Sequence, residues 1–122
     1  MVEKLGFQII KIASFDCASH RLIEEISKKN FQHIVVSTGA TFNAEIKKTA
    51  QILKHAHKKH TLLHCVSIYP TVLEDANLAR INYLKKIYPN VGLSDHSNPE
   101  IHKNLIPAVS LYLGVELIEK HF

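Results

Sequence analysis

Polar side chains that can bind ligands or take part in catalysis recur after the short apolar runs of this sequence. Lysine and serine suit an oxyanion, histidine suits a divalent metal ion or proton transfer, and carboxylates suit hydroxylated substrates or a general base. Each group alone has an ordinary structural explanation, such as a turn, a helix cap or a chain end. Their recurrence predicts one shared site. The groups are Lys11–Asp16, Ser37–Gly39, His64–Pro70, Ser94–Ser97 and Glu119–Phe122.

Two of the histidines are candidates for a metal site. His96 and His121 follow apolar runs that are neighbours in sequence order, and two neutral imidazoles on adjacent strand ends can reach one divalent ion. The remaining coordination positions are then open to water and a substrate oxygen, which is typical of a catalytic site. Asp95, beside His96, is either a group that fixes local geometry or a general base. Asp95 and His96 are therefore the candidate catalytic residues.

An anion-binding set accompanies this pair. Lys11 supplies one positive charge, and the hydroxyl groups that follow the other runs supply several hydrogen-bond donors. Such a combination suits a phosphate or a carboxylate. A lysine in a strand can instead extend its ammonium group to solvent. The hydroxyl groups belong to Ser14, Ser37 and Ser94.

A third set can hydrogen-bond a substrate that carries many hydroxyl groups. Asp16, Ser67 and Tyr69 provide a carboxylate, a hydroxyl and a phenol in the same groups of residues. Tyr69 precedes Pro70, and its ring could instead serve only to pack against neighbouring residues. These three residues complete the predicted substrate-binding set.

The other histidines have structural interpretations. His55, His57 and His60 are predicted to lie in a lysine-rich helix end, where the helix dipole favours cations. His64 precedes Cys65 in an apolar run, so it is either a core histidine with satisfied hydrogen bonds or a group of the site.

The elements that must position these side chains alternate along the chain. Short β-branched runs alternate with stretches of helical periodicity, which predicts the order βαβαβαβαβ with parallel strands buried on both faces. Ser19 and Asn43 are predicted helix caps, and Gly114 is the predicted end of the last helix. The predicted strands are Gln8–Ser14, His33–Ser37, Thr61–Ser67, Val91–Ser94 and Val115–Glu119.

Two α/β architectures fit this alternation. A doubly wound sheet often has a glycine-rich phosphate loop after its first strand, and the sequence contains neither GxGxxG nor GxxxxGK[ST]. A (β/α)₈ barrel places its functional side chains at the carboxyl ends of successive strands, as this sequence does. The predicted fold class is α/β, a partial TIM barrel of about five parallel strands that alternate with helices.

Composition sets further bounds. A chain of 122 residues forms one domain at most, and 46% hydrophobic with 21% charged residues is typical of a globular protein. The net charge of +4 comes from scattered basic residues without a nucleic-acid-binding motif. Cys17 and Cys65 lie in apolar runs of a sequence without a recognisable signal peptide, which predicts reduced, buried thiols. We expect a soluble, cytoplasmic protein that binds neither nucleic acid nor membrane.

Six motifs, taken in order, resemble the sialic acid synthase family, which includes legionaminic and pseudaminic acid synthases. Any one of these motifs is a loose pattern, but six in order are highly specific and cover nearly the whole chain. The motifs are Lys11–Ser14; Ser37–Gly39; Leu63–Cys65 with Ile68–Thr71; Glu74–Leu78; Val91–Ser97; and Gly114 with Ile118–Phe122.

The resemblance implies roles for individual residues. His96 and His121 correspond to the family's two metal-binding histidines, which usually hold manganese. Asp16 stands where family members often have Glu, and Ser67 where the neuraminate enzymes often have Asn, both on the sugar side. Tyr69 matches the family pattern. The positions that correspond to phosphoenolpyruvate contacts are Lys11, Ser14, Ser37 and Ser94.

The resemblance also implies a reaction. Family members are transferases that condense phosphoenolpyruvate with N-acetylmannosamine or a related N-acetylated amino sugar. The metal polarises the open-chain aldehyde, C3 of phosphoenolpyruvate attacks it, water adds at C2 and phosphate leaves. Another phosphoenolpyruvate-aldol barrel synthase and a non-catalytic remnant of such an enzyme are the alternatives.

Finally, the resemblance implies that residues 1–122 are a single partial domain. They correspond to the last five strand units of a synthase barrel, so the first three units and the antifreeze-like domain are expected to lie outside the chain. The parent enzyme is expected to be a homodimer, and the isolated chain is expected to be inactive.

Overall fold

A computed structural model describes residues 5–121 and contains one five-stranded parallel sheet. Its strands are paired in sequence order, β1-β2-β3-β4-β5. In a doubly wound sheet the strand order reverses at the first strand, so that later strands are added on its other side. The sequential order of this sheet therefore favours the barrel. The predicted α/β partial barrel is confirmed. The strands are β1 (Ile9–Ile12), β2 (His33–Ser37), β3 (His60–Cys65), β4 (Val91–Asp95) and β5 (Ile118–Lys120).

Helices connect the strands. A 3₁₀ turn follows β1 and another precedes the third helix, and the last connection contains two helices where one was predicted. Among the described residues, no helix has the length and apolar character needed to cross a membrane. The 3₁₀ turns are Ser14–Asp16 and Leu73–Asp75, and the helices are α1 (His20–Ser27), α2 (Asn43–His55), α3 (Ala79–Ile87), α4 (Pro99–His102) and α5 (Leu105–Tyr112).

The helices cover one face of the sheet. Alternate strand residues such as Ile34, Val36 and Leu62 are fully buried in a single cluster with helix residues such as Ile23 and Leu53. Side chains alternate between the two faces of a strand, so the intervening strand residues must lie on the opposite face. We call that opposite face, which carries Lys11, Val35, Ser37, Leu63, Cys65, Gly92, Ser94 and Glu119, the inner face.

The sheet is strongly curved toward its inner face. Lys11 Nζ on β1 lies 2.8 Å from Glu119 Oε1 on β5, although three strands separate β1 from β5. A lysine can reach across the inner face in this way only if the first and last strands approach each other. The curved sheet therefore forms part of the wall of a barrel, and the carboxyl ends of its strands lie together at one rim.

Several local predictions were wrong in their boundaries. β5 begins at Ile118 and not at Val115, and β3 begins at His60. His60 is therefore a strand residue and not part of the lysine-rich helix end; it is fully buried and its ring stacks on Tyr88 at 3.6 Å. Gly114 does end α5, with φ of +77°, in the left-handed region that glycine tolerates.

The predicted helix caps were only partly correct. Ser19 occupies the N-cap position of α1, but its side chain makes no capping hydrogen bond. Asn43 is the first residue of α2 and not its cap, and the backbone N–H of Phe42 donates to Glu45 Oε2 at 2.8 Å. Asn98 is a cap that the sequence reasoning missed, since its Oδ1 accepts from the backbone of Glu100 at 2.8 Å.

The two cysteines match their prediction. Cys17 and Cys65 are both free and buried. Burial raises the pKa of the Cys17 thiol, with smaller opposing effects from Thr41 and Thr49, so this thiol remains protonated at neutral pH. Phe122, the last residue of the sixth motif, lies outside the described residues.

Gly92 on the inner face should tolerate no side chain. A Cβ atom there would lie 2.5 Å from the backbone oxygen of Leu117 and 2.5 Å from Leu63 Cδ2. Because the Leu117 carbonyl is part of the adjoining backbone, Gly92→Ala should lower the free energy of unfolding by about 1–3 kcal/mol, the usual cost of overpacking. Urea unfolding measures this loss. The exposed Lys48→Ala is the control and should change it by less than about 0.5 kcal/mol; equal stability of both variants would contradict the predicted clash.

Candidate active site

The carboxyl ends of the strands surround a cavity of about 290 Å³. It is open at the rim and lies on the inner face, so side chains from β1 to β4 and from the loops after them meet there. Seven of the predicted site residues line this cavity, so the fold brings them together. These residues are Lys11, Ser14, Ser37, Ser67, Tyr69, Ser94 and His96.

His96, directly after β4, is held in one orientation. Its Nδ1 lies 2.7 Å from the carbonyl oxygen of Val66, so Nδ1 carries the proton and donates it. Nε2 is therefore the acceptor nitrogen, and the hydroxyl of Tyr69 donates to it at 2.7 Å. The Ser94 hydroxyl lies 3.3 Å from the same nitrogen. The arrangement directs the lone pair of Nε2 toward the cavity side of the ring.

The imidazole of His96 is neutral at neutral pH. Burial lowers its pKa below the ordinary value of 6.5, and the hydrogen bond to the Val66 carbonyl offsets only part of this effect. Burial also raises the pKa of Tyr69, which keeps the phenol protonated as a donor. A neutral imidazole with a fixed tautomer is the form that ligates metal ions.

His121, directly after β5, lies against His96. The two ring centroids are 4.6 Å apart and the rings meet edge to face at 86°. Tyr69 stacks on the His96 ring at 3.8 Å and meets the His121 ring at its edge at 5.5 Å. His121 Nε2 is also 3.6 Å from Glu119 Oε1. The two histidines are therefore neighbours at the strand ends, and their sharing of a metal ion stays a prediction.

The donor set fits a divalent cation as a partial site. Within residues 5–121, no group of three or more His, Cys, Asp or Glu side chains is arranged to hold a metal ion. His96 and His121 offer two imidazole nitrogens, and the nearby Glu119 offers a carboxylate of the kind that manganese and magnesium favour. Water or a substrate oxygen would have to supply the remaining positions, and the Tyr69 hydroxyl would have to leave Nε2.

Glu119 is a site residue that the sequence reasoning named only as a strand end. It accepts a hydrogen bond from Lys11 at 2.8 Å, and its Oε2 is buried without a hydrogen-bond partner in residues 5–121. Burial alone would raise its pKa, but Lys11, Ser94 and His121 together lower it, so the carboxylate is charged. The two-residue spacing from His121 was the signal available in the sequence, since it places both on one face.

The serine hydroxyls of the inner face are unequally satisfied. Ser14 Oγ accepts from the Gly39 N–H at 3.1 Å and donates to Cys65 Sγ at 3.4 Å. Ser37 Oγ is buried and has no partner in the described part of the chain. A buried hydroxyl without a partner beside a lysine ammonium group is a place where an anion would be well bound.

Three predicted residues lie outside the cavity lining: His121, which packs on His96 as described above, Asp16 and Asp95. Asp16 is exposed in the 3₁₀ turn after β1. Asp95 lies on the helix-covered face, 2% exposed, and its carboxylate is bonded to Ser97 and to Lys120. Between the two alternatives for Asp95, its position favours the fixing of local geometry over a general base, because its oxygens do not face the cavity.

Comparison with known proteins identifies relatives over the full chain. The model of the NeuB family matches residues 1–122. The pseudaminic acid synthase of Helicobacter pylori is 35% identical over 124 residues, which cover 100% of this chain and 35% of that protein. The N,N'-diacetyllegionaminic acid synthase of Campylobacter jejuni is 35% identical over 126 residues, covering 100% of this chain and 36% of that protein.

A solved structure shows the same architecture. The N-acetylneuraminic acid (sialic acid) synthetase of Leptospira borgpetersenii, in complex with citrate, superposes with a TM-score of 0.89 at 36% identity. The match covers 98% of this chain and 41% of that chain. The chain spans about a third of the length of the curated relatives it matches.

The Tyr69 hydroxyl should influence the protonation of His96. In the metal-free protein, Tyr69→Phe removes a donor that stabilises the neutral imidazole, so the pKa of His96 should rise toward its ordinary value of 6.5. Histidine ring chemical shifts in an NMR pH titration measure this change. The 90% exposed Tyr112→Phe is the matched control. An unchanged pKa in Tyr69→Phe would contradict the hydrogen bond.

The same lowered pKa has a consequence for stability. Because the pKa of His96 is lower in the folded chain than in the unfolded chain, folding is favoured most when this imidazole is neutral. The contribution of His96 to the free energy of unfolding is therefore complete above a pH of about 6.5 and decreases as the pH falls below that value.

Proposed function

The chain belongs to the NeuB family, and on that premise we propose that it forms part of a synthase that condenses phosphoenolpyruvate with an N-acetylated amino sugar. The supporting observation is the cavity at the strand ends that is lined by Lys11, by Ser37, whose buried hydroxyl has no partner within residues 5–121, and by the oriented His96, on which His121 packs. One end of this arrangement suits an anion and the other suits a polarised carbonyl.

The anionic donor is proposed to bind at Lys11. In the ligand-free chain, Lys11 is paired with Glu119 at 2.8 Å and remains 39% exposed, so its charge is accessible. A phosphate or carboxylate offers stronger, multiple acceptors for the ammonium group. The hydroxyl of Ser37 would then gain the partner that it lacks, and Ser14 and Ser94 line the same space.

The acceptor is proposed to react beside His96 and His121. A bound divalent cation, manganese by the family resemblance, would supply Lewis-acid polarisation of the acceptor aldehyde. The chain's own contribution is to keep Nε2 of His96 unprotonated through the Val66 carbonyl and to hold the second imidazole 4.6 Å away, centroid to centroid. In the proposed reaction, C3 of phosphoenolpyruvate bonds to the aldehyde carbon, water adds at C2 and phosphate leaves.

Recognition of the sugar is proposed to involve Ser67 and Tyr69, with Asp16 at the rim. Ser67 also lines a second cavity, of about 500 Å³, beyond the end of β3, which leaves space for a long acceptor. The chain is 35–40% identical to synthases named for pseudaminic acid and 35% identical to one named for legionaminic acid, a difference too small to choose between these acceptors. The acceptor is therefore proposed as a class, and N-acetylmannosamine is one member of it.

Catalysis is proposed to need more of the barrel than this chain contains. Within residues 5–121, β1 and β5 each pair with a single strand, and five strands do not close the eight-stranded barrel that the family resemblance implies. Because a displacement of about 1 Å is enough to impair catalysis, the isolated chain should be inactive. The full enzyme is proposed to be a cytoplasmic homodimer.

The function is tested by assaying phosphate release and sugar-acid product from phosphoenolpyruvate, manganese and N-acetylated amino sugars. The complete polypeptide that contains residues 1–122 should be active, and the 122-residue chain alone should be active only when mixed with a polypeptide carrying the missing strand units. Absence of product from the complete polypeptide with every amino sugar, or rapid turnover by the isolated chain, would contradict the proposal.

Removing either predicted metal ligand should weaken metal binding strongly. In the complete polypeptide, His96→Ala and His121→Ala should each weaken manganese affinity by more than the roughly 10–100-fold typical of changes to supporting groups. Isothermal titration and metal analysis measure this loss. His55→Ala, which removes an exposed histidine of α2, is the matched control. Unchanged manganese stoichiometry and activity in both site variants would refute the assignment.

Lys11 should contribute to the binding of phosphoenolpyruvate. Loss of one charge-assisted hydrogen bond costs about 1.5–3 kcal/mol, so Lys11→Ala should raise the KM for phosphoenolpyruvate roughly 10–100-fold and that for the sugar much less. Borohydride should trap no adduct at Lys11, since phosphoenolpyruvate has no ketone to form an imine.

Glu119→Gln separates substrate binding by Lys11 from its ion pair, because it removes the partner and leaves the lysine in place. This variant should keep a low KM for phosphoenolpyruvate. If Glu119→Gln raised that KM as much as Lys11→Ala does, the role of Lys11 would be to hold Glu119 and not the substrate.

A further inference from the structure

A buried ion pair lies on the helix-covered face, behind the two histidines. Lys120 Nζ on β5 is 2.6 Å from Asp95 Oδ2 on β4, and the side chains are 13% and 1% exposed. The ammonium group also donates to the backbone oxygen of Ser97 at 2.7 Å and lies 3.4 Å from its hydroxyl. An ammonium group has three donors, and all three of these have partners.

The carboxylate of Asp95 is equally occupied. Oδ1 accepts from the Ser97 N–H at 2.9 Å and Oδ2 accepts from the Ser97 hydroxyl at 3.0 Å. The residues before and after His96 are thus tied to each other and to Lys120. Lys120 in turn directly precedes His121, and β4 and β5 pair Asp95 with Lys120 in register.

We propose that Lys120 is a positioning residue that fixes His96 and His121 relative to each other by clamping Asp95 and Ser97. We refer to these three residues, Asp95, Ser97 and Lys120, as the clamp. The inference rests on the proposed function for what the histidine pair binds, but the geometry of the pair is its direct subject.

The clamp supplies the side-chain hydrogen bonds that join the two strand ends on the helix-covered face. Beyond the paired strand residues, the backbone contact at this point is the hydrogen bond from the His121 N–H to the Asp95 carbonyl, at 3.3 Å. His96 is further held through its carbonyl, which accepts from the Thr71 N–H at 3.1 Å. Without Lys120, His121 would be held to the His96 segment by one long backbone hydrogen bond and by the packing of its ring on His96 and Tyr69, at the end of a three-residue strand.

A direct role for Lys120 in anion binding does not fit the structure. Its neighbour Glu119 faces the inner side with Lys11, so the strand pleat places Lys120 on the other side. The cavity lining contains Lys11 and not Lys120. Although Lys120 directly precedes the predicted metal ligand His121, its ammonium group therefore supports the structure and does not bind phosphate.

The test compares four variants of the complete polypeptide. Lys120→Met breaks the clamp and leaves Asp95 unpaired. The double variant Asp95→Asn with Lys120→Met removes both charges, and this should recover the stability lost by burying a lone carboxylate. Lys120→Arg retains a multidentate cation and should preserve part of the function. The matched control is Lys85→Met, which removes another lysine bonded to a backbone carbonyl, that of Leu113 at 2.6 Å.

Manganese affinity and steady-state kinetics are the first readouts. Lys120→Met and the double variant should bind manganese about 10–100-fold more weakly, the range seen when groups supporting metal ligands are lost. Their kcat should fall while the KM for phosphoenolpyruvate changes little, because Lys11 is on the other face. Lys85→Met should retain wild-type affinity even if its melting temperature falls. Wild-type affinity in the folded double variant, or equal loss in Lys85→Met, would overturn the inference.

A metal-free readout separates this inference from the proposed function. Nuclear Overhauser contacts between the His96 and His121 rings, with amide exchange at Ser97, report the positioning directly. In the double variant these contacts should weaken and exchange at Ser97 should accelerate. If wild-type protein neither binds manganese nor makes product, the proposed function fails while these contacts still decide the clamp. Contacts unchanged in the double variant would refute the positioning role.

Discussion

The pleat of two neighbouring parallel strands is the constraint on which the rest of this structure depends. Because successive side chains point to opposite faces, β4 and β5 carry two charge networks back to back. On the inner face, Glu119 pairs with Lys11 across the curved sheet. On the helix-covered face, which is the outer face of the sheet, Lys120 pairs with Asp95. The register that pairs Asp95 with Lys120 serves both networks at once. The histidine pair lies at the rim where these two faces end.

Next to the histidine pair, the polar groups of the two faces differ in their hydrogen bonding. On the helix-covered face, the polar atoms of Asp95 and Lys120 all have protein partners. Farther from the histidine pair on that face, His60 Nε2 and His64 Nδ1 are buried without a partner in residues 5–121. On the inner face, Ser37 Oγ and Glu119 Oε2 are buried without partners in residues 5–121. An unmet hydrogen bond in a folded protein is costly. Because Ser37 lines the cavity and Glu119 pairs with Lys11, which also lines it, a bound ligand is in a position to supply the missing partners. The chemistry and the support of the site therefore occupy opposite sides of one sheet.

Sequence reasoning was most successful where hydrophobic periodicity was long. β2 and the helices α1, α2, α3 and α5 have clear apolar repeats. The polar groups at the predicted strand ends also indicated correctly which residues line the cavity. The face of the sheet on which the Asp95 side chain lies was not predictable. The end of β4 is polar, so its sequence alone does not show which of its alternate residues face the helices. β5 was placed too early, since Val115 is apolar and buried although it lies outside the strand. His60 was misplaced because flanking lysines suggested a helix end, whereas stacking on Tyr88 buries it.

The ion pair behind the histidines is best understood as a device that sets register. A buried pair of charges loses hydration on folding and commonly gives no more stability than apolar residues of the same shape, so stability alone does not account for it. β5 contains only three residues, too few for an apolar pattern to specify its alignment. A slip of one residue would bring Glu119 to the outer face beside Asp95 and leave Lys120 facing the cavity. Like charges would then meet under the helices, so the pair penalises the alignment that would also carry His121 away from His96.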